Sequence, residues 1–413
     1  MRFVFSSILC ATLVLTLGSA CSRNTKAPAT VVLASLKDVP VSRLNYRYEA
    51  DVSTPDVNGV SKGQGELNVA VADDFASNRK NEALTNTIVS PDAQRIVAVY
   101  RREDDVDGAF RIDMYSADGK FLRQITSENL SVSFPEKISW APDGSIVAFA
   151  GATRKTQAAS GAPSTSGSGS AGADVEPAPT PRISGTGEPQ DVLTFETEQI
   201  YTCSAEGKEL RLITQSEGKI YFHFTWSPDS LSLAALAATL REWKFMQYQS
   251  DLKGEVFLPK GRPRIVERNG RERLLDDNLT SILPSWSPDS RKLAVAYDSE
   301  VRLFDSSMDI ATQSAVPLRN QLLISSYEFD RAKKESDSGT NSGIRPSPTP
   351  LTTLPDEKDL ISFQPIIEIG WQTETTIYFQ TGFVKESKTG GATRSSMRWH
   401  RLILSAQPVP VSK

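Results

Sequence analysis

Trp226-Ser227-Pro228-Asp229-Ser230 stands directly before an apolar run at residues 231–236. The same arrangement returns three times. Val89-Ser90-Pro91-Asp92 precedes a run at 96–100, Trp140-Ala141-Pro142-Asp143-Gly144 one at 146–149, and Trp286-Ser287-Pro288-Asp289-Ser290 one at 293–297. Proline presets φ for the second position of a tight turn, and aspartate bonds the backbone two residues on. Each copy therefore reads as a strand, a turn and a second, apolar strand.

A second element follows. Met114-Tyr115-Ser116-Ala117-Asp118-Gly119-Lys120 leads into Leu122-Arg123-Gln124-Ile125-Thr126. Ile200-Tyr201-Thr202-Cys203-Ser204-Ala205-Glu206-Gly207-Lys208 leads into Leu210-Arg211-Leu212-Ile213-Thr214, and Ile265-Val266-Glu267-Arg268-Asn269-Gly270-Arg271 into Arg273-Leu274-Leu275. Glycine supplies the positive φ of a tight hairpin. Four antiparallel strands, A to D, thus make one repeat, and radial repetition of such a sheet is a β-propeller. The interval from turn glycine to the next motif proline is nearly constant. From that proline to the next turn glycine it varies widely, so the insertions lie between strands B and C.

Residues 293–297 are followed almost at once by a strand pattern at 301–305, giving the fourth repeat a short B–C loop. Residues 366–371, ending at Trp371, and 375–380 read as strands A and B of a fifth, with Thr373-Glu374 in place of Pro-Asp, and 397–404 as its strand C. Its strand D is missing, and an open sheet edge invites wrong pairing. Residues 44–52 and 65–72 both alternate like strands, and one is expected to supply the fourth strand and close the ring. The expected fold is all-β, a propeller of five to six four-stranded blades over residues 42–405, with 322–329 open to reading as an extra strand. Segments 152–190 and 331–360 bury too little apolar surface to order and are expected to be disordered inserted loops. Residues 406–413 form a tail.

Strand alternation separates two faces. The A–B and C–D turns make one face tight; the B–C and D–A loops make the other ragged. Segments 101–110, 151–190, 237–263, 331–360 and 384–396 all fall on the ragged face. Variable loops on a rigid scaffold are where binding residues concentrate, so this face is the expected docking side; the plain alternative is a face that merely tolerates insertions. Segment 237–263 carries Trp243, Phe245 and Tyr248, with Met246, Phe257 and Leu258. It reads as a recognition surface, or equally as a lid over the channel or an extended hairpin.

At the N-terminus Arg2 precedes a mostly apolar stretch, 3–17, and then Gly18-Ser19-Ala20-Cys21. That layout is a secretory signal, 1–20. The cysteine after small residues resembles a bacterial lipobox, although Gly18 stands where leucine is usual and Leu17 lies one place earlier. The resemblance implies lipidation at Cys21 and a tether over 21–41; the alternative is an ordinary signal cut near Ala20. Cys10 would leave with the signal, so Cys203 remains alone, without an internal disulfide partner.

The 413 residues carry a net charge of −4, which argues against nucleic acid, whose affinity comes from phosphate neutralisation. The Trp-Ser-Pro-Asp element together with Ala-Asp-Gly-Lys and Leu-Arg-Gln-Ile-Thr resembles the WD-like repeats of TolB-type β-propellers over roughly 88–382. That family carries an α/β domain ahead of the propeller, and residues 22–86 look too short and strand-like to form one. The resemblance implies a periplasmic or cell-surface protein-binding scaffold.

Catalytic chemistry is sparse. Similar propellers accompany Ser-His-Asp hydrolase domains in prolyl oligopeptidases, but no Gly-x-Ser-x-Gly elbow stands in a strand-to-helix context here. Some oligogalacturonate lyases are propellers with a His-rich metal site; this chain has His223 and His400, which read as structural, with no third ligand evident. Asp104-Asp105-Val106-Asp107-Gly108 lacks calcium-loop spacing and reads as a solvated loop. Lys260, Arg262, Arg264, Arg268, Arg271 and Arg273 read as a solvated hairpin, the alternative being a face toward anionic lipid headgroups. Asp92, Asp143, Asp229 and Asp289 read as turn chemistry, and Trp140, Pro142, Pro228, Pro288 and Trp371 as blade structure.

The sequence therefore points to a non-enzymatic, lipid-anchored envelope protein, periplasmic or at the cell surface, with no cofactor or metal. Its expected partners are envelope proteins or cell-wall material, and the membrane through the N-terminal lipid. The alternative is a carbohydrate-active enzyme, lyase- or hydrolase-like, with its site in the central channel.

Overall fold

A computed structural model describes residues 35–55, 67–103, 108–153, 197–216, 218–309, 311–337, 353–386, 388 and 391–407. The signal, Cys21, residues 104–107, most of 152–190 and the tail from 408 lie outside the described residues. Apart from Ser35, everything described belongs to the unit Leu36–Lys413.

β1 (Leu44–Glu49) and α1 (Val69–Asn78) precede the first repeat, whose strands are β2 (Glu82–Val89), β3 (Arg95–Arg102), β4 (Phe110–Ser116) and β5 (Phe121–Gln124). A short β6 (Leu130–Val132) leads to the second: β7 (Ser139–Trp140), β8 (Ile146–Thr153), β9 (Gln199–Ser204) and β10 (Arg211–Leu212). The third is β11 (Lys219–Trp226), β12 (Ser232–Thr239), β13 (Arg262–Glu267) and β14 (Glu272–Leu274), with α2 (Leu240–Lys253) inserted after β12. The fourth is β15 (Ser285–Trp286), β16 (Lys292–Tyr297), β17 (Glu300–Asp305) and β18 (Gln313–Pro317), followed by α3 (Arg319–Asp337). β19 (Ile366–Thr373), β20 (Thr376–Glu386) and β21 (Ala392–Ala406) complete the described strands.

The chain is mostly β. The third, fourth and last repeats are separate four-stranded antiparallel sheets, and the first two share a nine-stranded sheet because β6 pairs with both β4 and β8. The last sheet runs β1-β21-β20-β19. β1 lies antiparallel to β21, from Leu44 opposite Ala406 to Glu49 opposite Arg401, so the N-terminal segment supplies that sheet's fourth strand. Apolar cores lie between successive repeats. Val97 and Met114 meet Trp140 and Phe149; Ala148 and Ile200 meet Phe224 and Trp226; Ile265 meets Trp286 and Phe304; Leu303 meets Phe379 and Leu402.

The motif residues make the joints. Ser90, Ser227 and Ser287 each donate Oγ to the Oδ1 of Asp92, Asp229 and Asp289 at 2.5–2.6 Å. That oxygen also accepts from the backbone two residues on, at Gln94, Leu231 and Arg291; Asp143 does the same for Ser145. The intervening residue is left-handed, with φ of 56° at Ala93, 70° at Gly144, 64° at Ser230 and 61° at Ser290. The serines there accept across the joint: Ser230 Oγ from Asp143 N at 3.0 Å and Ser290 Oγ from Asp229 N at 2.9 Å. Each tryptophan indole donates back one repeat: Trp140 to Ile88 O, Trp226 to Ser139 O and Trp286 to Thr225 O, at 3.2–3.3 Å. After strand D, Thr126 and Thr214 accept from Ile112 N and Ile200 N, which explains the repeated Ile-Thr.

Three expectations change. The described part of 65–72, from residue 67, does not form a strand. Asn68 Oδ1 accepts from Val71 N and starts α1, whose Val71 and Phe75, one turn apart, pack on Ile96, Tyr100 and Tyr115. Residues 322–329 are likewise helical: Leu322, Leu323, Ser325 and Ser326 are the buried stripe of α3. This helix runs to Asp337, into the segment expected to be a disordered loop, and Asp330 then accepts Ile361 N at 2.7 Å. Finally, folded structure begins before the expected boundary at 42. Leu36 and Val41 are buried, Lys292 Nζ donates to Leu36 O at 2.7 Å, and Asp305 accepts Val41 N at 3.3 Å. Among the described residues no helix is long and apolar enough to cross a membrane.

Candidate functional site

Segments from three repeats converge on one hollow at the loop face. Residues 255–258 follow α2, residues 278–282 lead into β15, residues 297–302 turn between β16 and β17, and the outer half of β20 closes the far side. The cavity measures about 1070 Å³. Two backbone bonds brace β20 there: Gly382 N to Pro365 O at 3.0 Å and Glu386 O from Val256 N at 3.0 Å. Exposed Val256, Leu258, Phe383, Val384 and Met397 give the cavity an apolar lining. Several of its charges are paired. Arg302 bonds both Asp276 and Glu300 and lies 5.2 Å from the Tyr297 ring centre; Lys385 Nζ is 3.3 Å from Glu255. Burial raises the Tyr297 hydroxyl well above its ordinary pKa.

The aromatic segment beside this hollow is a helix, which replaces the loop expected from sequence. Thr239 Oγ accepts from Glu242 N while the Glu242 carboxylate accepts from Thr239 N, a reciprocal cap at the start of α2. Trp243 points inward, with ring centres 4.8 Å from Phe257, 5.4 Å from Phe222 and 5.9 Å from Phe134. Phe245 and Tyr248 are exposed. Of the three aromatic residues singled out, one seats the helix and two face solvent.

The repeat-motif residues lie elsewhere. Trp140, Asp143, Trp226, Asp229, Trp286 and Asp289, with Pro142, Pro228 and Pro288, occupy the tight turns and joints described above. Trp371 departs from the pattern: its backbone N donates to Ser285 Oγ at 3.2 Å, and its indole nitrogen is buried without a partner among the described residues.

A second hollow of about 750 Å³ opens beside α1. Asp113, 1 % exposed, is 2.8 Å from Arg79 Nη1 and accepts from Tyr100 OH at 3.3 Å. Burial pushes its carboxyl up to about 6, against the opposing pull of Arg79. Arg79 also bonds Glu82, donates to Tyr115 OH at 2.8 Å, and packs 4.1 Å over Phe75 and 4.4 Å over Tyr100. This network ties α1 to the first repeat. No sequence motif marks it, because its members come from four elements.

His223 and His400 sit in different sheets. Burial lowers both to about 4, helped by Lys137 and Arg398 respectively. His400 shares hydrogen bonds with Tyr48 OH at 2.9 Å and Thr381 Oγ1 at 3.0 Å; His223 Nδ1 has no partner among the described residues. No group of three or more His, Cys, Asp or Glu able to hold a metal ion occurs among the described residues. The basic hairpin is less solvated than expected, because Arg264 is buried against Glu272 at 2.5 Å.

No protein-family model matches the chain, and no curated protein matches it. Solved structures resemble it at low identity. A prolyl oligopeptidase B from Galerina marginata shares 10 % identity over 78 % of this chain and 36 % of its own, with a TM-score of 0.39. An oligogalacturonate lyase from Vibrio parahaemolyticus shares 10 % over 78 % and 66 %, with a TM-score of 0.34. A nidogen/laminin complex shares 7 % over 78 % and 85 %, with a TM-score of 0.29. The chain spans 59 % and 36 % of the first two structures it matches.

Proposed function

We propose that the four-stranded repeats are five blades of a propeller whose ring β1 closes, and that the protein is a lipid-anchored envelope scaffold. Through its loop face it binds another protein or cell-wall material. The observation that supports this reading is the cavity between the third, fourth and fifth repeats. It is wide, braced on both sides and apolar at its edge, with the Arg302–Glu300 and Lys385–Glu255 pairs among its charges. An exposed apolar edge with a few placed polar groups suits shape recognition.

Affinity capture from membranes, followed by identification of the bound material, tests the reading. The protein should retain one material, and Val384→Glu with Met397→Glu should lose it without change in Tm. Retention unaffected by that pair would refute a role for the cavity. Labelled-palmitate incorporation abolished by Cys21→Ala tests the anchor. The alternative, a carbohydrate-active enzyme, draws on the second hollow, where burial raises the Asp113 carboxyl to about 6. Turnover of acidic oligosaccharides lost in Asp113→Asn would favour it.

A further inference from the structure

α2 has two apolar faces, and one is uncovered. Leu240, Trp243 and Met246 pack onto Phe222, Leu236 and Ala238. On the opposite side Phe245, Tyr248 and Leu252 recur at i, i+3 and i+7 and are 63 %, 58 % and 65 % exposed. The helix carrying them is held firmly. It has the reciprocal cap at one end and Gly254 at φ 64° at the other; Arg262 Nη1 reaches both Glu242 oxygens at 2.7 and 2.8 Å, and Lys388 Nζ reaches Asp251 at 2.5 Å. Three large apolar side chains on one stripe of a pre-ordered helix mark a docking surface. Its charge is also one-sided. Arg241 and Lys244 flank the stripe, whereas the carboxylates of Glu242 and Asp251 already have cationic partners in Arg262 and Lys388.

Resting on the scaffold reading, we propose that this stripe docks an acidic amphipathic segment of another protein. Apolar side chains of the segment cover Phe245, Tyr248 and Leu252, and its carboxylates meet Arg241 and Lys244. Complementary charge of this kind fixes orientation and rejects wrong partners. An anionic lipid surface is the competing occupant, and placement argues against it. Lys292 and Asp305 fasten the N-terminal segment at the turn face, whereas α2 sits on the loop face.

Two synthetic helical peptides of about five turns, identical on a Leu/Phe face but flanked by Glu or by Lys, are titrated into the full chain. Phosphatidylglycerol vesicles are titrated in parallel. The Glu peptide should bind at least about 10-fold tighter than the Lys peptide. Phe245→Ser with Tyr248→Ser should weaken it about 10-fold at unchanged Tm, and Arg241→Glu with Lys244→Glu should reverse the preference. Equal binding of the two peptides, no binding, or binding indifferent to Phe245 and Tyr248 overturns the proposal. So does vesicle binding that the aromatic pair abolishes. The cavity variants in the capture experiment report separately, so the scaffold reading can survive this failure, or fall without it.

Discussion

At the scale of single residues, the buried titratable groups set the response to acid. Burial holds both histidines near 4 in the fold, below about 6.5 in the unfolded chain. As pH falls between those values the unfolded state takes up protons that the folded state refuses. Stability is therefore lost by up to about 1.4 kcal/mol per pH unit for each histidine. Asp113 runs the other way: raised to about 6, it is protonated first in the fold and adds stability as pH falls from there. His223→Leu, which removes a buried Nδ1 with no partner among the described residues, should leave one histidine opposed by one aspartate. Urea titrations at pH 7.5, 6 and 5 should show a flatter profile than wild type and no loss at pH 7.5. Cys203 is buried and its thiol pushed up to about 12. In a Cys10→Ser, Cys21→Ser background it should resist Ellman's reagent until the protein unfolds. The proline and aspartate of the first four repeats, with the serine and the tryptophan that three of them each carry, were legible because one local geometry recurs; the Arg79–Asp113 network was not, because nothing local signals four elements meeting.

At the scale of elements, strands were easier to read than helices. Residues 65–72 alternate, and alternation alone suggests a strand, but Asn68 as a cap with Val71 and Phe75 four apart is the helical signal that governs. In α2 the readable sign was Thr239 with Glu242 three residues on, obscured by the aromatic content of the segment. α3 carries just four buried residues on one stripe, too weak a period beside its polar flank. The loop-face cavity was unreadable, since its walls come from three repeats far apart in sequence. The closing strand was legible by subtraction, one strand wanting and two candidates unused, and the structure picks the first, β1. Its seat depends on Lys292, 2 % exposed. Lys292→Met removes the buried ammonium that donates to Leu36 O, leaving that carbonyl with Val39 N alone, and should cost about 1–3 kcal/mol, measured by urea denaturation. Limited proteolysis near residues 35–43 should accelerate in parallel.

For the whole molecule, the positions of the chain's entry and of the cavity set an orientation. Leu36 and Val41 are held at the ends of β16 and β17 that meet the tight turns, while α2 and the cavity lie at the opposite ends of the strands. If the leader is the anchor proposed above, fluorophores on Asp229→Cys and Leu252→Cys should differ in quenching by a lipid-borne quencher, with Asp229 the stronger. Equal quenching would remove the orientation. The pairing of β1 along β21 carries a mechanical consequence as well. A pull directed along β1 would shear all six paired positions together, whereas a perpendicular pull would unzip them singly. If the ring and anchor proposed above hold, tension between a membrane and a partner on the far side would be taken up along the seam of β1 and β21, and a seam loaded along its length is the hardest to open.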